Sequence, residues 1–410
     1  MGRGLRDLGR GAVSAERARS APPGSGQSPV ETRVGRRGFV VGALGAWTTI
    51  GCSRNHDNEI AVGAFLSLSG PDSTFGSDTR EGIDLAVQEI NAEGGLKSKK
   101  VRVIYEDDKS TTFEATQKVR QLIDRDKVIA LIGEVASSRS LVGGLIANKG
   151  HTPMITPSST AVSVTQGREW VFRTCFTDEQ QGKVAARFIF NELKRTKAAT
   201  FFTAQDTYSS GLAQSFVREM KRLGGTIVAE KGYPKGETSF RTFLSELKAK
   251  EPEVIFVPNY YNEMVFVGRH ASELGIPGSM FFGGDGWDSA TLTEGAGKEL
   301  EGAHFTNHYA PDVPWENSKR FFAAFSAKYN HPPTSLAAQG YDSAMVLFDA
   351  IKRAPEVTRD EVRKALLGMK DFSGATGTMN FDKDRNANKP IVIIEITDRT
   401  FKYAGQLTAE

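Results

Sequence analysis

The chain has 410 residues and a net charge of +3, but the charge is unevenly placed: residues 1–51 carry eight arginines, no lysine and three acids, a net of +5, which leaves −2 for residues 52–410. Nucleic-acid binding needs Lys and Arg clustered on a folded surface, and here the basic excess belongs to a leader, so no nucleic-acid partner is expected. With only Cys52 and Cys175 available, stability has to come from burial, and roughly 350 residues beyond the leader are ample for two lobes.

Within residues 1–51, Arg36-Arg37 is followed by an apolar stretch from Phe39 to Ile50. Twelve residues of helix span about 18 Å, well short of the roughly 30 Å hydrocarbon core, so the stretch reads as the apolar region of a signal peptide and not as a membrane span. The arginine pair before Phe39 resembles a twin-arginine export signal. Thr49-Ile50-Gly51-Cys52 resembles a lipobox, with Thr49 where leucine is usual. That resemblance implies a lipid-anchored cysteine at position 52 and residues 52–58 as a polar tether.

Beyond the tether, β-branched runs alternate with helical patterns, which is the mark of βαβ units and a parallel sheet. Strands are expected at 60–66, 101–105, 128–132 and 153–156, with helices at 76–91, 114–125 and 138–149 between them. A second series opens near Asp178: helices at 181–194, 211–223, 239–249 and 264–274 alternate with strands at 198–203, 226–233, 254–257 and 281–283. No flexible Pro/Gly-rich linker separates the series, so the expectation is lobes joined by strand crossovers, not independent domains. Residues 303–309 cross back, helices follow at 317–329, 337–353 and 359–369, and strands at 378–381 and 391–396 close the chain.

In such sheets ligands sit beyond the carboxyl ends of strands, where loops meet helix amino termini. The loops 133–138 and 156–160 are rich in hydroxyls, among them Ser137, Ser158 and Thr160. A helix amino terminus favours an anion such as a carboxylate, and the hydroxyls of Ser137 and Thr160 add donors; Ser and Thr are equally ordinary N-caps and turn residues. From the second series, Asp285 lies among glycines after a strand, suited to a ligand ammonium or to capping its own loop. Tyr208, Tyr260 and Trp287 stand nearby as aromatic walls or as loop packing.

Leu68-Ser69-Gly70-Pro71, Ile90-Asn91-Ala92-Glu93-Gly94-Gly95, Tyr105-Glu106-Asp107-Asp108, Ile155-Thr156-Pro157-Ser158-Ser159-Thr160, Asp178 with Gln181-Gly182, Gly340-Tyr341-Asp342 and Gly377-Thr378-Met379-Asn380-Phe381-Asp382 together resemble the branched-chain amino-acid binding proteins of ABC transporters, from about residue 58 to 400. The resemblance implies a type I periplasmic binding protein fold: α/β, two doubly wound parallel-sheet lobes joined by three crossovers, 59–177 plus 308–378 in one and 178–307 plus 379–410 in the other. It further implies that Ser137, Thr160 and the backbone of Ser158 bind a carboxylate, that Asp285 faces an ammonium where relatives often have glutamate, that Tyr208 and Tyr260 wall the site, and that Asp178 sits at the first crossover. Phe75 stands where relatives often have tyrosine. The partners implied are a small amino acid, an ABC permease and, through Cys52, a membrane; the expected state is a monomer. A ligand-sensing module for a signalling receptor is the alternative use of the same cleft.

Nothing in the sequence asks for catalysis or a cofactor. No Walker loop, dinucleotide fingerprint or nucleophile elbow is present. His304 and His308 have metal-compatible spacing only on a helix, and the segment reads as a strand. Asp107-Asp108 reads as a solvated or capping pair in a strand-end loop, Ser245-x-x-Lys248 as a chance match on an amphipathic helix, and Cys175 as a small buried residue.

Overall fold

The computed structural model describes residues 58–409; the arginine pair, the apolar stretch and Cys52 lie outside them. In the first lobe, β1 (Glu59–Leu66), β2 (Lys100–Asp107), β3 (Leu131–Ile132), β4 (Met154–Thr156) and β5 (Val171–Arg173) form one sheet in the order β2-β1-β3-β4-β5, all pairs parallel. Strands such as β1 are almost wholly apolar because a parallel sheet is covered on both faces. Helices α1 (Ser73–Ala92), α2 (Thr112–Arg120) and α3 (Ser137–Lys149) connect them. Helix α2 starts where Thr111 accepts a bond from the Glu114 N–H, a side-chain cap that satisfies one of the free donors of the first turn.

The second lobe begins with α4 (Asp178–Arg187), whose start is fixed by a reciprocal capping box between Thr177 and Gln180. Strands β6 (Lys197–Thr203), β7 (Thr226–Tyr233), β8 (Val254–Val257), β9 (Phe281–Gly283) and β10 (His304–Asn307) alternate with α5 (Thr207–Arg222), α6 (Arg241–Lys248), α7 (Tyr261–Glu273) and α8 (Ala290–Ala296). The chain then returns to the first lobe, where α9 (Glu316–Tyr329), α10 (Ser335–Arg353) and α11 (Arg359–Leu367) precede the small sheet of β11 (Phe372–Gly374), β12 (Gly377–Phe381) and β13 (Ala387–Asn388). Helix α10 lies directly on α1: a Cβ on Gly82 would sit 1.8 Å from the Ala337 carbonyl oxygen, so the two helices can meet only across glycine. After β13 the chain passes to β14 (Ile391–Thr397) and β15 (Thr400–Leu407), completing the order β15-β14-β10-β9-β8-β6-β7.

Two expectations need correction. The second sheet is not parallel throughout, since β14 runs antiparallel to β10 and β15 antiparallel to β14. The division at residue 378 also cuts a continuous strand: β12 pairs with β11 and β13, and Asn386 bridges to Arg173 of β5, so residues 379–388 belong with the first lobe. Three crossovers therefore join the lobes, between β5 and α4, after β10, and between β13 and β14. No helix among the described residues is long and apolar enough to cross a membrane.

Candidate ligand-binding cleft

Between the lobes lies a small cavity of about 20 Å³. The first lobe lines it with Phe75, Val135, Ser137, Ser158, Thr160 and Leu336, and the second with Tyr208, Tyr260, Asp285 and Gly286. All but Leu336, in the first turn of α10, come from just past the carboxyl end of a strand or the first turn of the helix that follows, where an open α/β sheet leaves a crevice. The structure thus brings together seven of the residues singled out in the sequence and leaves Asp178 and Trp287 outside the lining.

The first-lobe wall is made of hydroxyls. Among the described residues the buried Ser158 Oγ has no hydrogen-bond partner, and the Thr160 hydroxyl faces the buried Asp178 carboxyl. Ser137 Oγ accepts from the Ala161 N–H at 3.2 Å, which leaves its own proton free to donate. Ser137 is also the first residue of α3, so the positive end of that helix dipole lies at the cavity. A buried hydroxyl left unpaired costs about 1–3 kcal/mol; converging on one space, these hydroxyls fit a bound group that accepts several hydrogen bonds.

Opposite them stands Asp285, whose Oδ1 accepts from Gln181 Nε2 at 2.8 Å and whose Oδ2 lies 3.1 Å from His308 Nε2. Burial pushes the His308 imidazole down to about pKa 4, against the opposing pull of Asp285. The ring is therefore neutral near pH 7, and it donates through Nε2 because its partner is a carboxylate. No formal cation among the described residues is within salt-bridge distance of Asp285, so its charge remains available to a ligand. Asp178 lies behind this wall, fully buried; burial raises its carboxyl well above the usual range, against the opposing pull of the Thr160 hydroxyl. Its backbone N–H donates to the Thr160 carbonyl at 2.8 Å, so its visible task is to hold the Thr160 loop.

The aromatic walls are layered. Tyr208 stacks on Tyr260 with centroids 5.3 Å apart and planes at 8°, and Tyr260 meets Phe75 edge-on at 5.7 Å across the lobes. Tyr208 OH accepts from the Gly286 N–H at 3.1 Å. A Cβ on Gly286 would lie 2.7 Å from the Asn259 carbonyl oxygen and 2.9 Å from the Tyr260 ring, which is why the loop carrying Asp285 needs glycine after it. Trp287 does not reach the cavity. Its indole is fully buried and donates to Val257 O at 3.0 Å and Asn259 Oδ1 at 2.9 Å, so it pins the loop to β8 instead of walling a ligand.

Bonds across the lobes surround the cavity. Tyr261 OH reaches the Pro71 carbonyl at 3.0 Å, Asn262 Nδ2 donates to Asp72 Oδ1 at 3.3 Å, and the Ser335 N–H donates to Asp288 Oδ2 at 2.7 Å. Asp72 is tied in turn to the buried Arg139, which also binds Glu134. These bonds describe a closed arrangement. Sequence reasoning missed Gln181, His308 and Arg139 as working parts; only Gln181 carried a signal, through its place in the Asp178–Gly182 motif.

The remaining candidates fall to structural duties. His304 and His308 do not converge: His304 stacks on Phe282 while His308 serves Asp285. Asp107 accepts from the Leu68, Ser69 and Lys109 N–H groups, and Asp108 from Ser67 Oγ. Lys248 donates to the Leu274 carbonyl. Cys175 is buried, which pushes its thiol up to about 12. No group of three or more His, Cys, Asp or Glu suited to a metal ion occurs among the described residues.

Two α/β lobes on a three-strand hinge, closed over a buried polar cleft, define a solute-binding protein of the type I periplasmic class. Residues 59–400 match the family model described as periplasmic binding protein, and the chain belongs to that family. An amino acid binding protein of Pseudomonas aeruginosa is 30% identical over 274 residues, 66% of this chain and 72% of that protein. Among solved structures, a leucine-binding protein of Thermotoga maritima is 32% identical with a TM-score of 0.81, covering 85% of this chain and 99% of its own. The branched-chain amino acid transporter substrate-binding protein of Streptococcus pneumoniae, solved with isoleucine, is 31% identical with a TM-score of 0.79 over the same shares of the two chains.

Proposed function

We propose that the protein captures a small amino acid, branched-chain or related, between its lobes and delivers it to the permease of an ABC transporter without altering it. The observation that carries this reading is the pairing, in one cavity, of first-lobe hydroxyls with a braced second-lobe carboxylate. A zwitterion supplies a carboxylate for the first wall and an ammonium for the second. Val135, Leu336, Phe75 and Tyr260 leave apolar surface for a side chain, and the relative solved with isoleucine supports that ligand class. Closure over the ligand creates the state a membrane partner recognises. A thermal-shift screen of the purified protein against the amino acids tests this: stabilisation by aliphatic amino acids is expected, and no shift with any amino acid overturns the ligand class.

In the same reading the protein is exported through its twin-arginine-like leader, anchored by lipid on Cys52, and works as a monomer on the outer face of the membrane. Palmitate labelling lost on Cys52→Ala is the expected result, and an unlabelled wild type removes the anchor.

A further inference from the structure

The Asp285 carboxylate is the group that would meet the ligand ammonium in the reading above, and one of the two side chains that fix it comes from the hinge. His308 is the first residue after β10, in the second crossover. Its Nε2 lies 3.1 Å from Asp285 Oδ2, while Gln181 in α4, just past the first crossover, takes Oδ1 at 2.8 Å. The imidazole also stacks on Phe176 of the first crossover, with ring centroids 3.8 Å apart and planes at 26°. Two of the three crossovers therefore meet at the carboxylate.

We propose that His308 is a positioning residue for ligand recognition: from the hinge it holds the Asp285 carboxylate aimed into the cleft, so that an amine bound there is sensed by the crossovers that close the lobes. The protonation chemistry of the ring supports this. His308 is fully buried and its Nδ1 has no partner among the described residues; a second proton would create an orphaned buried N–H. Burial keeps the ring neutral down to about pH 4. A neutral donor orients Asp285 without cancelling its charge, whereas a protonated ring would form an ion pair with it and leave less for an amine. The charged or titratable groups around the pair include Lys389 of the third crossover, Asp178 at the start of α4, Cys175, Tyr208 of α5 and Asp288 in the loop after β9. Lys389 is engaged elsewhere, with Gln339 Oε1 and Thr376 Oγ1.

This role rests on the amino-acid reading, and the test separates the two. The full chain and its His308→Leu and His308→Gln variants are titrated calorimetrically with L-leucine, L-isoleucine and L-valine, each beside its deaminated carboxylic acid. His308→Leu is expected to weaken the amino acids about 10-fold, the cost of one hydrogen bond to a charged group, and to leave the deaminated acids within about twofold, because they present no amine to Asp285. His308→Gln keeps an N–H donor of similar reach and is expected to restore amino-acid binding to within about threefold. Wild-type affinity should fall as pH drops through about 4, when His308 takes up a proton, and should fall less steeply in His308→Gln, which cannot; that comparison holds even if the leucine variant does not fold. Equal losses for amino acids and deaminated acids, or an unchanged pH profile in His308→Gln, overturn the positioning role. A wild type that binds none of the three amino acids overturns the functional reading, and this role with it.

Discussion

On the first-lobe wall of the cleft the polar groups are the neutral hydroxyls of Ser137, Ser158 and Thr160, that of Ser158 without a partner among the described residues; on the second-lobe wall the polar group is a carboxylate with both oxygens already hydrogen-bonded. The difference follows from what each costs to bury. A hydroxyl rotates to donate or accept and carries no charge, so leaving it open is a modest penalty that a ligand removes. A carboxylate taken out of water alone is far more expensive and must be held by donors before any ligand arrives. One wall thus waits for its partner, and the other is pre-organised, which reduces the ordering cost of binding. In the proposed reading the hydroxyl wall gains most from closure, while the carboxylate wall selects for an amine.

The contrast can be broken at several points. Asp285→Ala removes the only charge on the second wall and is expected to weaken amino-acid binding by about 2–5 kcal/mol, as for one partner of a buried charged pair; calorimetry showing less than about a twofold change would remove Asp285 from the site. Thr160→Val deletes one hydroxyl at nearly constant volume. It should cost about 1.5–3 kcal/mol in affinity, the range for a hydrogen bond to a charged group. Trp287→Phe sharpens the comparison from outside the cavity: losing the indole bonds to Val257 and Asn259 should lower stability by about 1–3 kcal/mol, while affinity changes little in the same titration.

The reach of the sequence can be judged from particular residues. Ser137, Ser158, Thr160, Tyr208, Tyr260 and Asp285 were legible because loops after strands converge in this class of sheet, a rule that needs no coordinates. Gln181 and His308 were not legible as Asp285 partners: they lie 104 and 23 residues from it, and only the parallel pairing of β9 with β10 and the packing of α4 against that sheet bring them there. His308 was weighed as half of a metal pair with His304, a question of spacing that says nothing about which way a hinge residue turns. Trp287 was misplaced because its neighbours in the loop reach the cavity while its ring turns back on Gly283. The β14–β15 hairpin escaped notice since its two-residue turn, Asp398-Arg399, takes left-handed φ values of 52° and 58° without the Asn-Gly or Asp-Gly pair that normally announces such a turn.

The central claim is that the two walls read the two ends of one zwitterion. The most direct measurement is calorimetry of the wild-type protein with the tightest-binding amino acid of the panel, its deaminated acid and its decarboxylated amine. The account predicts that the amino acid binds at least about 10-fold more tightly than either single-headed compound, since each forfeits a charge-assisted contact with one wall. A deaminated acid or an amine that binds as tightly as the amino acid would contradict it.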